Sequence, residues 1–180
     1  MKISWSDFRS LKKSFSYAIR GVVYCIGNER NMRIHLAVAV NILLFALVYG
    51  LSRTEYILLF VIIGFVLLCE MINTSIETLV NLGSPAYHNL ARIAKDVAAG
   101  AVFVVAIIAI IVGVILFGEP DRLLEAFSKI WSNPLLISLF LMSLIGGFLF
   151  VFKGVKIKIP KKSTKIDKVK IYTPKNKNKF

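Results

Sequence analysis

"LLCEMINTSIETLV", residues 67–80, decides how this chain is read. It closes a long apolar run, yet it carries Glu70, Asn73 and Glu77. On a helix these three stand at i, i+3 and i+7, which at about 100° per residue puts them within roughly 60° of each other on one face. Ile72, Ile76, Leu79 and Val80 take the other faces. The polar groups therefore form a stripe that must face another helix or a wet cleft. Such a stripe can simply join helices, and Asn73 and Thr74 alone would suit that role. Two carboxylates with no basic partner on their own helix suit it poorly, and ionisable groups within an apolar helix point to function.

The surroundings of the stripe are those of a membrane protein. The chain has 180 residues, of which 57% are hydrophobic, and a mean hydropathy of +0.71. Several runs reach the ~18–20 apolar residues that cross a bilayer. The fold class is an all-α polytopic membrane protein with little room for a folded domain outside the bilayer. The formal charge is +13, but residues from 153 onward hold eleven Lys against one acid, Asp167. The basic balance thus belongs to a tail, and a nucleic-acid partner is not expected. Cys25 and Cys69 are far apart and in no CxxC pattern, so neither a metal cluster nor a disulfide framework is expected. Each reads as a small buried hydrophobe. The first residues are polar with scattered basic groups, and no signal peptide is expected there.

Working outward, residues 4–27 place Trp5, Phe8, Leu11, Phe15, Ala18 and Val22 at spacings of three and four, with Arg and Lys between them. That predicts an amphipathic helix lying in the membrane surface. "NERNMRIH" (28–35) is polar and leads into a first span, 34–51. "SRTE" (52–55) is a short turn, so the second span, 55–82, runs antiparallel to the first. The second span is longer than a bilayer needs, and its last turns should emerge into water. "GSPAYHN" (83–89) is a Gly/Pro turn before a third span, 90–117. Residues 119–133 place Leu123, Leu124, Phe127, Ile130 and Trp131 on one face, which predicts an amphipathic extracytoplasmic linker helix. A fourth span covers 134–152, and the Lys-rich segment 153–180 has the composition of a disordered tail. Lys and Arg are dense in 1–33 and in the tail, whereas 118–133 is acidic. By the positive-inside rule the N-terminal segment, loop 83–96 and the tail are cytoplasmic.

This topology puts the stripe at the cytoplasmic end of the second span. Glu29, Lys95, Asp96 and His88 should reach the same level. Paired carboxylates hold Mg²⁺ together with phosphate oxygens and water. A Lys beside them suits a phosphate, and a remaining carboxylate can take a proton from a hydroxyl. That is the composition of a phosphoryl-transfer site. Neither GxxxxGK[ST] nor GxGxxG occurs, so ATP would bind without a P-loop.

"NERNMRIH", "CEMINTSIETLVNL" and "AKDVAAGAV", in that order and spacing, resemble the small prokaryotic diacylglycerol kinase / undecaprenol kinase family over about residues 8–118. The resemblance implies a homotrimer of three-span subunits, each with an amphipathic surface helix, and active sites shared between subunits at the cytoplasmic interface. It implies Glu70 as the general base for the lipid hydroxyl, with Asn73 positioning Glu70 or that hydroxyl. Glu29 and Glu77 would hold the metal that bridges the ATP phosphates, with Mg²⁺ as cofactor and ATP as co-substrate. Lys95 and Asp96 would contact the nucleotide, Lys95 on phosphate. Tyr87 and His88 would border it, and Tyr17 would reach it from the surface helix. Arg9, Asn31, Arg33 and Glu70 would meet the lipid substrate.

The chain departs from the family pattern in places. Arg9 stands one residue earlier than the family Arg, and Ser10 takes that place. Asn81 replaces a more usual Asp. Residues 119–180 have no family counterpart; their Lys-rich end is expected to attract anionic lipid. The motifs look more like the members that phosphorylate undecaprenol than those specific for diacylglycerol, which is the alternative acceptor. A non-catalytic scaffold or an ion-path protein is the alternative of another class. It would require the carboxylates deeper in the bilayer and leaves "AKD" without a role.

Overall fold

The computed structural model describes residues 5–83 and 89–154, with the backbone alone for residues 5–9. Six helices follow one another: α1 (Trp5–Asn28), α2 (Arg30–Tyr49), α3 (Arg53–Gly83), α4 (Asn89–Phe117), α5 (Pro120–Ser132) and α6 (Pro134–Lys153). Four of them, α2, α3, α4 and α6, are long and apolar enough to cross a membrane. The expected tail beyond residue 154, and Tyr87 and His88 in the 83–89 turn, lie outside the described residues.

One difference from the sequence reading shapes the rest. The first span, expected from residue 34, begins as a helix at Arg30. Arg30, Asn31, Met32 and Arg33 contain no Gly or Pro to stop a helix. The whole join between α1 and α2 is therefore Glu29, with extended φ −98° and ψ 120°. It is pinned on both sides: its N–H donates to the Cys25 carbonyl at 2.8 Å, and its carbonyl accepts from the Arg33 N–H at 3.4 Å. Its carboxylate makes no cap bond to α2.

At the far end of α2 the chain reverses at Gly50, whose φ of +77° is left-handed. A side chain is strained there, which is why a glycine closes this helix. Its N–H donates to the Ala46 carbonyl at 3.0 Å. The "SRTE" turn is a reciprocal cap: the Ser52 N–H donates to Glu55 Oε2 at 2.6 Å, and the Glu55 N–H donates to Ser52 Oγ at 3.4 Å. α3 then runs 31 residues, about 45 Å at 1.5 Å per residue, and packs along α4.

The core sits at the Gly50 end, around Ala46, Tyr49, Leu51, Leu59, Leu116 and Ala126. Phe117 packs against both Tyr49 and Phe45, with ring centroids 5.1 and 5.3 Å apart. α5 lies across this cluster, and Arg122 binds it to the turn. Its guanidinium donates to the Gly50 carbonyl at 2.9 Å and to Glu55 Oε1 at 3.3 Å, and it lies 4.5 Å from the centre of the Tyr49 ring. The apolar face expected for α5 is present and meets the core along one edge. Leu123 and Ala126 turn to the core, whereas Leu124 and Trp131 face outward, the latter 84% exposed. Small Ala126 permits the close approach that a larger residue would prevent.

α6 starts at Pro134, with Asn133 Oδ1 accepting from the Leu135 N–H at 3.0 Å. It returns along α2. Gly147 lets the two helices touch: a Cβ there would stand 3.3 Å from the Ala37 Cβ. α1 remains largely exposed, Leu11, Phe15 and Ile19 included. Among the described residues its apolar side chains find cover only near its end, around Cys25.

Candidate active site

The site gathers at the end of the molecule opposite Gly50, where α1 ends, α2 begins and α3 carries its polar stripe. Glu70 is 1% exposed, and Asn73 and Thr74 are also buried. The helix backbone absorbs the hydroxyls of the stripe: Thr74 Oγ1 donates to the Glu70 carbonyl at 3.0 Å, and Thr78 Oγ1 to the Thr74 carbonyl at 2.8 Å. The Asn73 amide nitrogen donates to Glu77 Oε1 at 3.0 Å, so these two side chains act as a pair. Both carboxylate oxygens of Glu70, and Asn73 Oδ1, are buried without a hydrogen-bond partner among the described residues. Three acceptors on the stripe thus have no donor among the described residues. Buried acceptors of this kind ordinarily have partners.

Glu29 faces this stripe from the α1–α2 join. Burial pushes its carboxyl above the usual carboxylate range and the Glu77 charge pushes it further, while Arg33 opposes both. Glu29 and Glu77 are therefore close enough to repel, the arrangement a bound cation relieves. Among the described residues no three His, Cys, Asp or Glu side chains converge as a metal cluster. The donor set is two carboxylates with Asn73 Oδ1 nearby. It fits a hard cation that takes its remaining ligands from phosphate and water.

Across the α3–α4 pair, Lys95 Nζ donates to Asn81 Oδ1 at 2.9 Å. Asn81 lies one turn beyond Glu77, so its carboxamide, standing where a carboxylate is more usual, still holds the Lys beside the stripe. Asp96 and Asn31 are exposed. Tyr17 is exposed on α1, its ring 4.6 Å from the Arg20 guanidinium. The Arg9 side chain, Tyr87 and His88 lie outside what is described.

Arg33 is buried, and its guanidinium donates to the Ile26 and Gly27 carbonyls at 3.1 Å each and to the Val151 carbonyl at 3.4 Å. In this way it binds backbone from both α1 and α6. Cys25 was not expected at the site. Its buried thiol packs by Thr74; burial pushes its pKa up, and Glu29 and Glu70 add to that. Its position one turn before Glu29 was the available signal. Missing from the sequence was the fact that α1 ends against α3.

The family described as prokaryotic diacylglycerol kinase matches residues 16–117. The chain belongs to that family. It is 41% identical over 105 residues to an undecaprenol kinase of Bacillus subtilis, covering 58% of this chain and 85% of that protein. It is 40% identical over 113 residues to a diacylglycerol kinase of Synechocystis, covering 62% of this chain and 65% of that one. No solved structure matches it. As a member of the prokaryotic diacylglycerol kinase family the protein is a lipid kinase, an enzyme that uses ATP, and it is a multi-pass membrane protein. The matched segment contains Glu29, Glu70, Glu77 and Lys95 and stops before α5 and α6.

Proposed function

We propose that this lipid kinase transfers the γ-phosphoryl group of MgATP to undecaprenol at the cytoplasmic face of the membrane. One observation carries the reading: the Glu70 carboxylate is buried, with no partner for either oxygen among the described residues, one turn from the Asn73–Glu77 pair. Glu70 takes the proton of the lipid hydroxyl. Asn73 orients Glu77 through its amide nitrogen. Glu29 and Glu77 hold the metal–nucleotide. Bound there, Mg²⁺ would neutralise charge on the phosphates and align the γ-phosphoryl group. Lys95 and Asp96 meet the nucleotide from α4, Lys95 on phosphate. Tyr17 and the 83–89 turn border it.

The distribution of charge supports the orientation. Arg30, Arg33, Arg92, Lys95 and Lys153 lie on the helix ends at the Glu29 end, against Arg53, Arg122 and Lys129 at the other. ATP is confined to water and the acceptor to the bilayer, so the reacting atoms must meet where a span leaves the membrane. The working unit in this reading is a homotrimer with shared sites, and the tail binds anionic lipid. Undecaprenol is preferred as acceptor because "NERNMRIH" and "NTSIE" look more like the members that phosphorylate it, and a relative so named is 41% identical. Diacylglycerol is the second candidate, from the name of the Synechocystis relative. Both present a primary hydroxyl on an apolar tail. A lipid-phosphorylation assay in mixed micelles with the two acceptors side by side tests this. Phosphorylation of undecaprenol well above diacylglycerol is expected, and the reverse order would overturn the assignment.

A further inference from the structure

The α5–α6 segment lies beyond the region matched to the family, yet α6 reaches the site. Its last turn presents the Val151 carbonyl to Arg33 Nε at 3.4 Å. Gly154, with φ +63°, ends the helix against the same guanidinium: a Cβ there would stand 3.8 Å from Arg33 Cζ. Phe152 lies under Arg30, 4.9 Å from its guanidinium, and Phe148 packs on Phe152 at 4.4 Å. From the same guanidinium, Nη1 holds the Ile26 and Gly27 carbonyls at 3.1 Å. Those two residues immediately precede the turn that carries Glu29.

We propose that α6 is a structural part of the metal–nucleotide site: its last turn seats Arg33, and Arg33 seats the α1–α2 join so that the Glu29 carboxylate meets Glu77. The proposal rests on the reading of Glu29 as a metal ligand. The geometry explains why one guanidinium is buried there. The last carbonyls of a helix have no partner within it. Arg33 supplies donors to the ends of α1 and α6 at once, in a fixed fork that a Lys cannot reproduce. Its charge also faces the Glu29 carboxylate. Without α6 one arm of the fork loses its acceptor, and the join is held from one side only. Arg33 is a positioning residue: it acts on the nucleotide through Glu29.

The test uses the full-length chain in detergent and four variants. Arg33→Lys keeps the charge and loses the fork. Gly147→Val keeps Arg33 but forces α6 away, because a branched side chain would meet Ala37 at 3.3 Å. Glu29→Gln removes the ligand. Leu141→Ala, on the exposed side of α6, is the control. Mn²⁺ binding in the presence of a non-hydrolysable ATP analogue is read by electron paramagnetic resonance, with thermal unfolding of each variant beside it. Removing a partner that orients a metal ligand weakens affinity by about 10-fold or more. That loss is expected for Arg33→Lys and for Gly147→Val, with wild-type binding in Leu141→Ala. In turnover the two variants should raise the KM for MgATP and leave the KM for the lipid alcohol within about twofold. If Glu29→Gln loses Mn²⁺ while folded Arg33→Lys and Gly147→Val bind as the wild type does, the coupling is overturned. If Glu29→Gln also binds normally, the metal reading of Glu29 fails and the proposal falls with it.

Discussion

The Asn73 amide is the only hydrogen-bond donor to the Glu77 carboxylate among the described residues, at 3.0 Å. A hydrogen bond to a charged group contributes about 1.5–3 kcal/mol. Asn73→Ala should therefore raise the KM for MgATP by about 10-fold or more, through loss of Glu77 orientation. Glu77→Gln should raise it further, because it removes the charge as well. Steady-state kinetics with MgATP varied at saturating lipid separates these from an effect on the chemical step. Glu70, Asn73 and Glu77 were legible in the sequence because helical periodicity alone puts them on one face. Arg33 was not. A basic residue beside a proposed active site reads as a substrate contact, and nothing local reveals that its donors are taken by carbonyls 6, 7 and 118 residues away.

At the level of elements the two ends of α2 do different things. The Gly50 end is held by a left-handed glycine, a reciprocal cap and Arg122, and none of these reaches the site. Gly50→Ala places a side chain at φ +77°, at a cost of about 1 kcal/mol. Ser52→Ala removes the cap hydroxyl, also at about 1 kcal/mol. Both should lower the thermal midpoint in detergent and leave kcat and the KM for MgATP unchanged. Arg122→Ala should behave in the same way, since it frees α5 from the turn. A kinetic defect in a stably folded Arg122→Ala would mean that the two ends are coupled. The helices were legible from runs of apolar residues, which is why α3, α4 and α6 start and end within about two residues of their expected spans. The α1–α2 join was less so. Polarity marks where a segment leaves the membrane, not where its helix ends, and residues 30–33 are polar and helical at once.

On the scale of the whole molecule, much of the apolar surface of the spans is exposed in the single chain: Leu135 is 78% and Ile115 74% exposed. Lipid or neighbouring subunits must cover that surface, and the proposed homotrimer would take part of it. Four spans return α6 to the side from which α2 departed, so α1 and residue 154 share a face. In intact cells a membrane-impermeant maleimide should label Ser128→Cys on α5 and spare Ser10→Cys on α1, in a chain whose Cys25 and Cys69 are replaced. The opposite pattern would invert the topology and put Glu70 on the side without ATP. The extra helices could be counted in the sequence, but their attachment could not. It depends on Gly147 approaching Ala37 and on a carbonyl at the end of α6.

The central claim is that Glu70 takes the proton of the lipid hydroxyl, and the most direct measurement is the turnover of purified Glu70→Gln beside its MgATP affinity. The amide fills the same space and cannot accept the proton. General-base catalysis contributes about 10²–10⁴-fold, so kcat for undecaprenol should fall by at least about 100-fold while MgATP affinity stays within about twofold. Wild-type turnover in a folded Glu70→Gln enzyme would contradict the account.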